Sequence, residues 1–187
     1  ALTSGAGNVA VGYLAATDIT TGAYNTVLGN LALTNAQTAV SYNTAIGYGA
    51  SRYLGDDGGS SHSSYNTAVG WKAIGGGHTS TEAGNTGHYN VAAGTQALGG
   101  SVGTSTNFTA IGNVAAGANA GTLLATGNYN VILGYTAGDD TVDVDNAVII
   151  GSGAGSGVMD SDADGTVAIG KSALAALTTG AGNIGIG

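Results

Sequence analysis

The segment from Gly165 to Ser172 has the residue spacing of a phosphate-binding loop, with two glycines followed by lysine and serine. Such a loop holds phosphates with free backbone N–H groups between a strand and a helix. Here the residues between the glycines belong to a strand-like block that recurs along the chain, and Lys171 occupies a position that elsewhere holds Tyr13 or Trp71. We therefore attribute the match to the repeat and expect no nucleotide binding.

Aspartates cluster in two consecutive stretches of the chain, and they are candidates for binding a metal ion. If these stretches lie on neighbouring repeats, their carboxylates stand about 5 Å apart and repel one another unless water, protons or a cation intervene. One hypothesis is a calcium ion that joins the two turns; the alternative is a solvated acidic edge that opposes aggregation. The calcium hypothesis concerns Asp143, Asp145, Asp160, Asp162 and Asp164. No other cofactor is expected.

Two long segments, residues 48–65 and 71–89, contain all three histidines, the only tryptophan and two of the three basic residues. Long loops on a rigid scaffold commonly carry recognition, and aromatic side chains suit sugars and other flat ligands. The predicted receptor-contact residues are Arg52, Tyr53, His62, Trp71, Lys72, His78 and His88. The alternative is a pair of tolerated insertions whose polar residues stay solvated. A histidine on a threefold axis would recur three times and allow a zinc or iron site, although the spacing selects no particular histidine.

The composition excludes several classes of function. Three basic residues stand against eleven acidic ones, for a net charge of −8, so nucleic acid is not an expected partner. Cysteine is absent, and the sequence shows neither a nucleophile elbow nor a carboxylate pair at the spacing of a glycosidase. No apolar run reaches the ~18 residues of a membrane helix. We therefore predict a protein that is not an enzyme and does not insert into a membrane.

Ten copies of a five-residue block that ends in glycine organise the chain. A β-branched residue stands three places before every one of these glycines, and alanine stands three places after each of the first nine. Asparagine begins seven of the blocks, and tyrosine precedes that asparagine in five. The intervals between the glycines are 17 to 24 residues, at Gly12, Gly29, Gly47, Gly70, Gly94, Gly112, Gly134, Gly151, Gly170 and Gly187.

This pattern predicts an all-β fold: a repetitive β-solenoid, either a β-roll or a β-helix, with about ten short rungs of 17–24 residues in a single domain, residues 1–187. β-Branched residues at alternate positions favour a short strand, and glycine permits a corner where a side chain would clash. Stacked asparagines and tyrosines would satisfy the polar groups of the turns. Longer loops are expected at residues 48–65, 71–89 and 113–129.

Both faces of each predicted strand are apolar, so both are expected to be buried. If the β-branched face fills the interior of the coil, the alanine face requires a partner outside it. A symmetric homo-oligomer supplies such a partner, and small residues permit close backbone approach. The residues therefore predict self-association without fixing the number of subunits.

Two segments carry a resemblance to known families. The segment Tyr42–Ala50, with the sequence YNTAIGYGA, resembles the repeats of trimeric autotransporter adhesin heads, which form left-handed β-rolls. The segment Ala173–Gly187 is similar to repeats of phage tail-fibre proteins, although the period of this chain exceeds that of the adhesin heads. The resemblance covers nearly the whole chain and implies a homotrimer, exposure at a surface and a role in attachment. It supplies no catalytic residues.

The sequence therefore predicts a structural and adhesive segment of an extracellular trimeric fibre, such as a phage tail fibre that attaches to a host surface. The expected partners are further copies of the chain and a glycan or protein of the host cell surface. The alternatives are the head domain of a bacterial trimeric surface adhesin and the subunit of a self-associating extracellular filament. Because the chain opens within a repeat, we expect it to be a fragment of a longer fibre.

Overall fold

The computed structural model describes residues 4–34, 39–55, 63–75, 86–100 and 108–187. Within these residues the chain forms ten three-residue strands and one short 3₁₀ helix. The strands are β1 (Val9–Val11), β2 (Thr26–Leu28), β3 (Thr44–Ile46), β4 (Thr67–Val69), β5 (Val91–Ala93), β6 (Val114–Ala116), β7 (Val131–Leu133), β8 (Val148–Ile150), β9 (Val167–Ile169) and β10 (Ile184–Ile186). The helix, η1 (Ser161–Ala163), lies between β8 and β9.

All ten strands belong to one parallel sheet, in which each strand pairs with the next one along the chain. The register is constant, because the first residue of a strand pairs with the first residue of its neighbour, as Val9 does with Thr26. Each connection therefore returns the chain to the start of the next rung of a coil. At ~4.8 Å per rung, the ten strands extend over about 43 Å. The predicted all-β solenoid is confirmed.

The sixth rung lies five residues later than predicted. The expected strand ended at Gly112, whereas β6 pairs Val114 with Val91 of β5 and so falls inside the loop predicted for residues 113–129. Two blocks compete here, since residues 113–117 repeat the sequence NVAAG of residues 90–94. Only the second block begins with asparagine. The side chain of Asn113 donates a hydrogen bond to Asn90 of the preceding rung, which the side chain of Phe108 could not do.

The corner after each strand requires glycine, as the sixth rung shows. Gly117 has a φ angle of 135°, and a Cβ atom there would overlap with the backbone carbonyl of Gly134 on the next rung. Gly112 lies outside this column: its φ angle is 70°, and the nearest atoms to an added Cβ belong to the ring of Tyr129, 2.8 Å away. A ring can move aside, whereas a backbone held in the sheet cannot.

The middle residue of each strand points into the coil, and its two neighbours point outward. Ala45 and Ala92 are fully buried, whereas Leu28 and Val91 are 49% and 40% exposed. The prediction that β-branched residues fill the interior and that the alanine face looks outward is therefore wrong for the strands. The coil is narrow, and a small residue at the strand centre leaves room for larger side chains from the turns.

On four rungs the strand centre and the fourth residue after the corner glycine have complementary sizes. On the fourth and fifth rungs, whose strand centres are Ala68 and Ala92, that residue is Ile74 or Leu98, and both side chains are fully buried. Beside the larger strand centres Ile132 and Ile149 this position is Gly138, where an added Cβ would lie 3.2 Å from Ile149 Cδ1. No helix of the described residues has the length and apolarity needed to span a bilayer.

Candidate functional site

The outward-pointing first and third residues of the ten strands form a single surface, here called the sheet face. No strand residue is charged, and the side chains of the face are mostly valine, isoleucine, leucine and threonine. Because the register is constant, these side chains form two straight columns along the coil. The large apolar side chains of the face that are exposed are Val9, Val11, Leu28, Val69, Val91, Val114, Ile184 and Ile186. The solenoid therefore presents a regular apolar surface along its length.

Aromatic side chains border the sheet face on both sides. At the N-terminal ends of the strands, four tyrosines stack on one another with ring centroids 4.9–5.1 Å apart, namely Tyr24, Tyr42, Tyr65 and Tyr89. The predicted tyrosine ladder is therefore present over these four rungs. On the other side, directly after the corner glycines, stand exposed aromatic residues, namely Tyr13, Tyr48, Trp71 and Tyr135. Both borders extend the apolar surface beyond the strands.

The ladder tyrosines adopt a left-handed backbone conformation that side chains disfavour. Tyr24, Tyr42, Tyr65, Tyr89 and Tyr129 have φ angles between 58° and 60°. This conformation costs an L-residue roughly 1–2 kcal/mol relative to the right-handed region. On other rungs the same position is glycine or asparagine, such as Gly7 and Asn146, which adopt it more readily. Tyrosine at five of the ten rungs thus indicates a use for the exposed ring that offsets local strain.

A second ladder consists of buried asparagines, which directly follow the tyrosine position on each rung. This ladder holds the rungs together. In each step the side-chain oxygen of one asparagine accepts hydrogen bonds from the backbone N–H and the amide of the next, as Asn43 does from Asn66. The amide of Asn66 also donates to the carbonyl of Gly87 at 2.9 Å. These hydrogen bonds satisfy buried polar groups that would otherwise have no partner. The ladder runs through Asn8, Asn25, Asn43, Asn66, Asn90, Asn113 and Asn130.

Three of the five aspartates of the calcium hypothesis accept hydrogen bonds from backbone N–H groups, whereas Asp143 Oδ1 is buried without a hydrogen-bond partner. Asp164 accepts a hydrogen bond from the backbone N–H of Asp145 at 2.8 Å, and Asp145 accepts one from Asn128 at 2.6 Å. Asp160 accepts one from the N–H of Asp162 and so caps η1. Among the described residues, which include all five aspartates, no group of three carboxylates or histidines is placed to hold a metal ion. This geometry does not favour the calcium site, which stays a prediction.

The predicted receptor-contact residues occupy several positions around the coil. His62 and His78 lie outside the described residues. Lys72 Nζ lies 4.7 Å from the ring centre of Trp71, and Trp71 is 42% exposed directly after its corner glycine. The other described members lie elsewhere: Arg52 covers the buried ring of Tyr53, and His88 packs edge-on against Tyr89.

The phosphate-loop match is part of the ninth rung. Its middle residue, Ala168, is buried at the centre of β9, and the N–H of Val167 donates to the carbonyl of Asn183. The N–H groups of Gly170 and Ser172 donate to Ile150 and Ser152 of the preceding rung. These N–H groups hold the rungs together, so they are not free to bind phosphate.

A shallow groove of about 230 Å³ lies beside the turns of rungs five to seven, and no pattern in the sequence indicated it. Its lining is polar except for one leucine, with Gln96, Asn119, Thr122, Leu123, Asp139 and Asp140. Asp139 Oδ1 is buried without a hydrogen-bond partner, and burial together with the neighbouring Asp140 raises the pKa of the Asp139 carboxyl. The lining residues are up to 44 positions apart in the chain, so only the stacking of the rungs brings them together.

The fold and these surfaces define the chain as a parallel β-solenoid with an uncharged sheet face. Comparison with known proteins found no matching family model, no similar curated protein and no similar solved structure.

Proposed function

We propose that this chain is a structural and adhesive segment of an extracellular trimeric fibre at a virion or bacterial cell surface, such as a phage tail fibre or an adhesin head. The observation that carries the proposal is the sheet face. Three residues wide and ten rungs long, it covers roughly 430 Å² at the standard rise and rung spacing. The stacked tyrosines on the border away from Trp71 widen it further towards the ~800 Å² that one partner contributes to a standard interface.

A second copy of the same chain is the partner that fits this face best. Its apolar columns repeat with the spacing of the rungs, so an identical chain offers a surface of the same length and periodicity. A monomer would leave a patch at or above the upper end of the usual range, about 300–600 Å², in contact with water. The resemblance to trimeric adhesin heads and tail fibres supports three copies of the chain in the assembly.

The native mass of the particle tests the fibre. Light scattering or native mass spectrometry should give three times 17.8 kDa, because burial of the sheet face favours the assembled state. A stable monomer at micromolar concentration would contradict the proposal, since an apolar face of this size would then need no partner.

The adhesive role is assigned to exposed residues beside the sheet face, with the Trp71–Lys72 pair as the best-placed of the predicted receptor contacts. The indole ring is half exposed and carries a cation against it, an arrangement suited to flat or sugar-like ligands. Fluorescently labelled protein should bind bacterial cells, and Trp71→Ala should weaken that binding without changing the native mass. Unchanged binding would remove Trp71 from the contact surface.

A further inference from the structure

The groove beside rungs five to seven has hydrogen-bonding capacity that the protein does not use. The side chains of Gln96, Asn119 and Asp140 make no hydrogen bond within the described residues. Asp139 Oδ1 is buried without a hydrogen-bond partner, although the backbone N–H groups of Asp139 and Asp140 lie close to the Asp139 carboxyl. Elsewhere in the coil the buried asparagines are fully paired with one another and with backbone carbonyls. A buried acceptor without a donor is costly and calls for an explanation.

A ligand that carries hydrogen-bond donors would complement the acceptors of this groove. The chain has only three basic residues, Arg52, Lys72 and Lys171, and none of them lines the groove. Two carboxylates accept hydrogen bonds, and two amide groups both donate and accept. Hydroxyl groups likewise donate and accept, so a molecule with several hydroxyls on a small ring matches this set. Leu123 adds one apolar contact for the C–H face of such a ring.

We infer that this groove is a binding site for one sugar ring that carries no negative charge. The volume of about 230 Å³ suits a single ring and falls below the usual 300–1,000 Å³ of sites for larger ligands. Adjacent Asp139 and Asp140 repel an acidic sugar, so the site selects neutral sugars or amino sugars. This inference rests on the proposed adhesive function, for which it names the chemistry of the receptor.

Groove residues also have neighbours in the repeat that serve as matched controls. Asn119 stands two residues after its corner glycine with a φ angle of 58°, and Gly49 and Gly153 occupy the same position on other rungs. Asn119→Gly therefore removes the side chain without straining the backbone. Thr136 holds this position on the next rung with a φ angle of 48° but does not line the groove, so Thr136→Gly is the control.

The test is a titration of the native assembly, monitored by NMR. The ligands are the methyl glycosides of glucose, galactose and N-acetylglucosamine, with glucuronic acid as the acidic counterpart. At least one neutral glycoside should bind with a Kd in the millimolar range, and glucuronic acid should bind at least about tenfold more weakly. Asp140→Ala and Asn119→Gly should each weaken binding about tenfold. Thr136→Gly should bind as the wild type does.

Three results would overturn the inference: no neutral glycoside binds, binding survives both groove substitutions, or glucuronic acid binds as tightly as glucose. Melting curves of each variant separate loss of binding from loss of folding, and Asn119→Gly remains informative if Asp140→Ala unfolds. The native mass separates this site from the proposed fibre. A trimer that binds no glycoside would contradict only the groove, whereas a monomer that binds one would contradict only the fibre.

Discussion

Two glycines near the sixth rung differ in what an added side chain would meet, and this difference tests the register of β6. Gly117→Ala places a methyl group against the carbonyl of Gly134 at a φ angle of 135°, so we expect a loss of more than about 4 kcal/mol in the free energy of unfolding. Gly112→Ala should cost only about 1–2 kcal/mol, because Tyr129 can move and other rungs hold tyrosine at that position.

Urea denaturation of both variants at one protein concentration measures this difference. The opposite ranking would show that the sixth strand ends at Gly112, which is the position inferred from the sequence alone. Equal effects would show that neither glycine is the corner.

The carboxyl of Asp139 makes stability depend on pH. Burial and the neighbouring Asp140 raise its pKa in the folded chain above the ordinary value of 3.8. The folded state therefore holds the proton more tightly than the unfolded state, and the stability that this adds below pH 3.8 is lost as pH rises through the raised pKa. Asp139→Asn removes this loss, so the melting temperature at pH 7 should rise.

The comparison for Asp139→Asn is Asp18→Asn, which makes the same change in net charge at an exposed position. The gain of the Asp139 variant relative to Asp18→Asn should shrink as the pH falls towards 4. Melting curves from pH 3.5 to 8 measure both. Parallel curves for the two variants would contradict the assignment to Asp139.

At the scale of elements, the asparagine ladder joins successive rungs by side-chain hydrogen bonds in addition to the backbone pairing of the strands. Asn66 accepts from the N–H and the amide of Asn90 and donates to Asn43 and to Gly87. Asn66→Ala leaves several of these buried groups without partners at once. We expect a loss of roughly 2–4 kcal/mol in the free energy of unfolding, measured by urea denaturation.

The matched control for the ladder is Asn30→Ala, because Asn30 is exposed after its corner glycine and its side chain makes no hydrogen bond in the described chain. That substitution should change stability by no more than about 0.5 kcal/mol. If both variants lose the same amount, the ladder contributes no more than a surface asparagine does.

The strands and both ladders were predictable from the sequence because the spacing of glycine, asparagine and tyrosine is local and recurs. The position of β6 was not, since the blocks that begin at Phe108 and Asn113 both fit the repeat and the residue that enters the ladder is what separates them. The sequence also did not determine which face of each strand points inward, because alternate residues define two faces and both are apolar. The groove depends on Gln96 and Asp139, which only the coil brings together.

At the scale of the whole molecule, the proposed self-association uses a surface that has little to do with folding of the single chain. The side chains of the sheet face point away from the interior, so they contribute little to the core that holds the rungs together. Polar or charged residues could replace them at small cost to a monomer. Their uniformly uncharged and mostly apolar character over ten rungs therefore supports the proposed contact between copies.

The double substitution Leu28→Lys/Val91→Lys tests this separation of folding from assembly. The two positions lie three rungs apart on the sheet face, and both side chains are about half exposed, so the single chain should keep its fold and far-ultraviolet circular dichroism. Burying two uncompensated charges per copy should convert the particle to a 17.8 kDa monomer in native mass spectrometry. Thr126→Lys/Thr178→Lys adds the same charge at exposed positions outside the strands and should leave the assembly intact. An assembly that survives the first pair but not the second would place the contact between copies on another side of the coil.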